Sequence, residues 1–446
     1  MTLSTFAVKL TLLALVAQPL AALAEEPRTT AGAERAQSAD ARDELNDATP
    51  IVGRKLVKLN RPVAATREYT PFDPKAAIVE NENKDAASRD DQSNGELEAI
   101  GREIVDFRFQ SGQGRYMMED ENGMLRVFPQ SAIKSVEDAP DTTLGDLRAK
   151  VTSELQREFG ATFWTHATSR YLFVSDTSEG YVKWCARLFD DLDEAFEKYA
   201  RKRRVPLTKR VEPLIVVIFA KRADFIKYAS VETTHPEVLS AYYNIQTNRV
   251  ALYDLSQVEG TQDVGSRRKK STISETREFL SRPNAAYNVA TIVHEATHQL
   301  AFNRGVFKRS GPIALWAVEG LSLVVETPSA SLRQNGWVYR GAFPTNERMK
   351  SIYDARSVAT KITFKDVVAQ DAYYADIETS YAFSWALFYY LERKRPGDLA
   401  SYLRLLQEKP ECSVYSKEER IADFEACFGD NWEKLEKNIQ TFMRRL

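Results

Sequence analysis

Hydrophobic positions along the chain fall into blocks of different period, and the changes of period mark the elements. Residues 1–24 carry Lys9, the apolar run Leu10 to Val16, a break at Pro19 and the small residues Ala22 and Ala24. A short apolar core followed by small residues predicts a secretory signal peptide rather than a membrane span. From 25 to 100 the apolar residues are isolated islands such as Ile51-Val52, with no sustained period. Such a stretch buries too little apolar surface to offset its ordering entropy, and predicts a disordered leader or tether. Between 101 and 142 short strand-like pieces at Val105–Phe109, Arg115–Met118 and Leu125–Phe128, with an Asn122-Gly123 turn, predict a small β-appendage.

The main domain is expected to run from 143 to 397. It opens with a helix through Phe159 and the strand Tyr171–Ser175. Tyr181, Trp184, Cys185, Leu188, Phe189, Leu192, Phe196 and Tyr199 then trace the stripe of an amphipathic helix, with Cys185 an inert thiol on it. The continuous apolar run Leu214–Phe219 suits a sheet interior, and Leu239–Tyr243 with Arg249–Tyr253 reads as a hairpin. Residues 398–446 are expected to form a C-terminal helical segment. The order predicts an α+β fold.

Composition removes several classes of function. Among 446 residues, 61 Lys+Arg face 63 Asp+Glu, so no basic footprint for nucleic acid exists. The runs Arg201–Arg204 and Arg267–Lys270 are short and suit solvated surfaces. No apolar run after residue 24 is long enough to span a bilayer, so the mature chain has no transmembrane segment. Three cysteines exclude a disulfide scaffold, although Cys412 and Cys427 could bridge the C-terminal segment in an oxidising compartment.

Of the four histidines, two stand four residues apart on one predicted helix, in His294-Glu295-Ala296-Thr297-His298. That spacing puts both imidazoles on one face, where they can share a tetrahedral cation, with Glu295 turned by about 100° toward the same region. His166 and His235 stand alone and read as surface or turn residues. A third ligand is required. Pro312 can open a second helix, and Glu319 lies in its otherwise apolar run Ile313–Val325, where a carboxylate is costly unless paired or bound to metal. Glu326 is the weaker candidate. A third His six residues after His298 is ruled out by Arg304, which disfavours the astacin-like arrangement.

His294-Glu-Ala-Thr-His298-Gln-Leu followed by Trp316-Ala-Val-Glu319-Gly320-Leu resembles the gluzincin metallopeptidases. The likeness is greatest to bacterial secreted gluzincin-like proteins of undefined substrate. The resemblance extends from about Thr143 to Gly397 and implies a zincin-like domain. It implies one Zn²⁺ per chain, held by His294, His298 and Glu319, with Glu295 as general base toward an activated water and Tyr381 stabilising the oxyanion. The strand Ala241-Tyr242-Tyr243-Asn244 would bind an extended peptide or protein substrate at its edge. Leu323 stands where some thermolysin-like enzymes place an Asp behind a zinc-bound His, so that support must come from elsewhere. No Gly-x-Met-Glu-Asn stretch supports aminopeptidase activity. The expectation is therefore a periplasmic or secreted zinc metallopeptidase. The alternatives are an envelope binding module with a structural zinc and little turnover, and hydrolysis of a non-peptide amide on the same residues.

Overall fold

The computed structural model describes residues 47–60, 97–106, 115–233, 235–256, 272–274, 276, 286–327, 343–370, 373, 376–413 and 415–446. The predicted signal peptide, most of the leader and the Arg267–Lys270 run lie outside these residues. At the N-terminal side, β1 (Pro50–Ile51) pairs with β7 (Thr142–Thr143). Strands β2 (Lys55–Leu59), β3 (Leu97–Asp106), β4 (Arg115–Asp120), β5 (Leu125–Pro129) and β6 (Ile133–Asp138) form an antiparallel sheet in the order β5-β4-β3-β2-β6. This corrects the leader for residues 47–60: Val57 is fully buried at the centre of that sheet, against Tyr116, Met118 and Phe128. With only two inward residues, β2 has too short a pattern to announce itself, and its stability comes from the strands on either side. The sheet is also joined to the main body. The Leu125 amide donates to the Gln246 carbonyl, and Met117 packs against Cys412 on the opposite face from Val57.

The main body begins with α1 (Leu144–Phe159), whose first turn is capped by the Thr143 hydroxyl accepting from the Asp146 amide. Then follow β8 (Trp164–Ala167), β9 (Tyr171–Ser175), α2 (Glu179–Arg203), β10 (Leu214–Phe219), α3 (Arg222–Ala229), β11 (Ala241–Asn244) and β12 (Arg249–Tyr253). The sheet runs β11-β12-β10-β9-β8, parallel across β12-β10-β9 and antiparallel at both margins. Alternation along the strands feeds two cores. Leu172, Val174, Ile215, Val217 and Ala251 face the α1/α3 side, whereas Phe173, Val216, Ile218, Val250 and Leu252 face α2 and α4 (Ala286–Asn303). β8 escaped sequence reading because none of its residues is fully buried; it carries His166.

Beyond α4 come α5 (Leu315–Val325), α6 (Glu347–Arg356), α7 (Phe364–Ala369), α8 (Ile377–Lys394), α9 (Pro396–Glu408), α10 (Lys417–Phe428) and α11 (Trp432–Met443). Gly305, at φ +75°, ends the α4 segment as its sequence suggests. Trp316 on α5 is enclosed by Tyr402, Phe424 and Phe428. The last helices therefore share the main core, and the expected boundary at 397/398 falls inside α9. On α5, Gly320 allows α8 to approach so closely that a Cβ there would lie 2.6 Å from the Phe388 Cβ and 2.7 Å from the Ser384 carbonyl oxygen. Cys185, Cys412 and Cys427 form no disulfide, so the expected option of a Cys412–Cys427 bridge is not taken up; Cys185 and Cys412 are buried. The fold is α+β, and no helix among the described residues is long and apolar enough to cross a membrane.

Candidate metal centre

Helix α4 is buried on nearly every side from Val289 to Phe302, which explains its high apolar content and makes its few polar residues conspicuous. Gln299 resolves one of them by donating to the Ile215 and Asn248 carbonyls, fixing the helix against the sheet. His294 and His298, one turn apart, bring their Nε2 atoms to 3.0 Å from each other. Glu319, delivered by the first turns of α5, places Oε2 at 3.3 Å from the His294 Nε2 and 3.7 Å from the His298 Nε2. The three expected ligands thus converge, all buried, with their ligand atoms within 4.8 Å of one another.

The far side of each imidazole is occupied. The His294 Nδ1 lies 2.7 Å from the Glu326 Oε2, and the His298 Nδ1 lies 3.0 Å from the Ser322 Oγ. Glu326 is itself held by the Asn346 amide at 2.8 Å and by Arg348 at 3.2 Å. With the ring protons on Nδ1, both Nε2 atoms present bare lone pairs toward the same point as a carboxylate. Neither oxygen of Glu319 makes a well-formed hydrogen bond, although both are inaccessible to solvent. A buried carboxylate facing two imidazole lone pairs is an unfavourable arrangement of acceptors that one cation resolves. The His294-His298-Glu319 group can hold a metal ion.

Glu326, weighed in sequence only as a lesser ligand, therefore supplies the support that Leu323 cannot. It follows Glu319 by seven residues, two turns along the same face, and that spacing was legible. Ser322, at three residues from Glu319, was legible in the same way. Asn346 and Arg348 come from a separate element, and nothing local marked them.

Glu295 accepts a hydrogen bond from the Tyr243 amide at 2.8 Å, so the carboxylate expected to act as base is tied to β11. Burial pushes the Glu295 carboxyl up to about 8, with Glu319 adding to the rise and His294 opposing it. Burial likewise raises Glu319 and holds His298 well below the ordinary imidazole value. At His294 burial acts downward, but Glu319 and Glu326 prevail and lift it to about 10. A divalent cation would be the largest local charge; it would reverse the rises at His294 and Glu319 and reinforce the depression at His298. Tyr381, on α8, is buried with its phenol interacting with Glu319, and Tyr373 packs beside it at 6.1 Å between ring centroids. Tyr373 also bonds the Ser384 hydroxyl at 2.5 Å, an aromatic neighbour that sequence reading did not single out.

Residues 288–412 match the model of a family described as "Protein of unknown function (DUF1570)". No curated protein matches the chain. The matched stretch runs from within α4 through α9 and contains the whole ligand group with Glu295, Glu326 and Tyr381. Its description assigns no activity.

β11 is the margin of the main sheet, but its surroundings are more enclosed than a bare edge. Ala241, Tyr242 and Tyr243 are buried, and Glu232 receives hydrogen bonds from the Tyr242 hydroxyl and the Asn244 amide. Antiparallel pairing alternates inward and outward amides. The outward Tyr243 amide meets Glu295, and Ala241 shares that orientation. His166 in β8 and the exposed His235 beside Glu237 are not part of the metal group.

Proposed function

We propose that the chain is a zinc-dependent peptidase of gluzincin type, acting outside the cytoplasm once its signal peptide is removed. The observation that carries the reading is the convergence of two imidazole nitrogens on a buried carboxylate whose oxygens make no well-formed hydrogen bond. His294, His298 and Glu319 would hold the zinc, which supplies Lewis acidity and an activated water at neutral pH. The remaining work belongs to side chains already in place. Glu295 takes a proton at its carboxylate and returns it to the leaving amine, and its bond to the Tyr243 amide fixes it between the ligand group and β11. Tyr381 offers a phenolic donor beside Glu319, suited to charge developing on the scissile carbonyl oxygen. Glu326 and Ser322 keep both rings in the ligating tautomer. An extended peptide along β11 would meet the outward backbone groups of Ala241.

One observation favours the second reading, an envelope binding module with a structural metal: the ligands are almost fully enclosed, His294 being 6% exposed and Glu319 1%. Structural zinc sites are closed, whereas catalytic ones keep an open position. Metal analysis of the purified chain and its Glu295→Gln variant, with peptide hydrolysis measured on both, separates the readings. A peptidase loses turnover while retaining metal. A variant that cleaves as the parent does, with its metal in place, would overturn catalysis by Glu295.

A further inference from the structure

Away from the metal group, a cavity of about 390 Å³ lies where the N-terminal sheet meets the C-terminal end of α4 and the end of α9. Its charged lining is Arg102, Glu119, Arg210, Lys308, Arg309 and Glu411, four cations against two carboxylates. Glu119, 4% exposed, serves three guanidinium groups at once. Its Oε1 receives Arg210 at 2.8 Å and Arg309 at 3.0 Å, and its Oε2 receives Arg102 at 2.6 Å. Glu411 is already engaged by the Ser310 hydroxyl at 2.6 Å and lies 3.7 Å from Lys308. Along the lining the cations therefore outnumber the carboxylates by two, with Glu212 beside Arg210 offsetting part of the excess, in a partly enclosed space where uncompensated charge is costly.

The three arginines differ in what they have left to give. Arg309 is saturated: Nε donates to the Ile245 carbonyl, Nη1 to Glu119 and the Gly123 carbonyl, and Nη2 to the Gln246 carbonyl. It is the structural clamp between sheet and body. Arg210 donates through Nε to the Glu212 carbonyl and through Nη1 to Glu119, which leaves Nη2 without an acceptor among the described residues. Among the described residues Arg102 donates only through Nη2, to Glu119, and its side chain is 56% exposed. Spare planar donors on two guanidiniums match the paired oxygens of a carboxylate or phosphate.

We infer that this cavity is a binding site for a compact dianion, carrying phosphate or carboxylate groups, held by Arg102 and Arg210 while Glu119 and Arg309 fix their placement. The volume suits a small metabolite. The site is independent of the proposed peptidase chemistry, and its test does not depend on turnover.

The experiment is calorimetric titration of the full chain with inorganic phosphate and with succinate at constant ionic strength, repeated on Arg102→Gln, Arg210→Met and His298→Ala. Saturable binding of either probe is expected in the parent and in His298→Ala, which cannot offer its metal group to an anion. Phosphate alone binding identifies a phosphate-bearing ligand; succinate alone identifies a dicarboxylate. Arg102→Gln replaces a half-exposed side chain, is expected to keep the fold as read by circular dichroism, and is expected to weaken binding about tenfold, the loss of one charge-assisted bond. Arg210→Met is expected to abolish it. Three results would each overturn the site: no saturable binding of either probe, parental affinity in Arg102→Gln, or loss of binding in His298→Ala.

Discussion

The metal group and the Glu119 cluster are both built on a buried glutamate, and they are opposite in what surrounds it. Around Glu319 the neighbours are two imidazole nitrogens and one phenol, with no fixed cation among them, and its oxygens lack well-formed hydrogen bonds. Around Glu119 the neighbours are three guanidinium groups, so that donors outnumber the carboxylate. Burial alone would raise both carboxyls. It does so for Glu319, whereas Arg210, Arg309 and Arg102 outweigh it at Glu119 and bring that carboxyl to about 2. One site is short of positive charge and the other of negative, and each deficit specifies the sign of what would complete it.

The contrast breaks most sharply at the ligands. His298→Ala is expected to abolish stoichiometric zinc, from about one ion per chain to none, as read by elemental analysis after dialysis. Glu295→Gln is expected to keep the ion and lower hydrolysis by about 10²–10⁴-fold, the usual scale of a lost general base. At the other site, Glu119→Gln leaves three guanidiniums without their shared counter-charge. It is expected to cost about 3–5 kcal/mol in urea unfolding, most of it through loosening of the N-terminal sheet. That contribution has a defined pH window. Because the folded value is depressed, the stabilisation is fully present above the unfolded value of 4.5 and is lost as pH falls toward about 2. The stability gap between parent and Glu119→Gln should therefore narrow on acidification from pH 5 to pH 3 and close only as pH falls through about 2. Glu326→Gln sharpens the first site without destroying it: zinc affinity is expected to drop about 10–100-fold, measured by competition with a chelator.

How much of this was legible depends on whether the determinant was periodic. The stripe from Tyr181 to Tyr199, the apolar run Leu214–Phe219 and the His294/His298 pair each declare themselves within a few turns or one strand, and each lies where the pattern puts it. Glu319 was legible because a lone carboxylate in an apolar helix demands a reason. What escaped was held by non-local contacts. β2 is a strand because β3 and β6 flank it, across a separation that no local window joins. Arg210, Arg309 and Glu119 come from three separate segments, and none carries a mark in sequence that predicts the others. Asn346 and Arg348 reach Glu326 in the same fashion. The apparent boundary at 397 failed because Pro396 opens a helix there instead of closing a domain.

The contact at Gly320 sets a limit of another kind. Glu319 is the residue immediately before it, and Tyr381 stands one turn ahead of Ser384, whose carbonyl lies against it. At that level only the base of the Phe388 side chain lies between the two backbones. Gly320→Ala is expected to cost about 1–3 kcal/mol in stability, through forced separation of α5 and α8. The mechanical consequence is that ligand and phenol travel as one plate. A substrate could draw β11 and α4 apart from this plate, but it could not part the backbones that carry Glu319 and Tyr381, so the rigid wall of the site is its α5/α8 side and give comes from the side that carries Glu295.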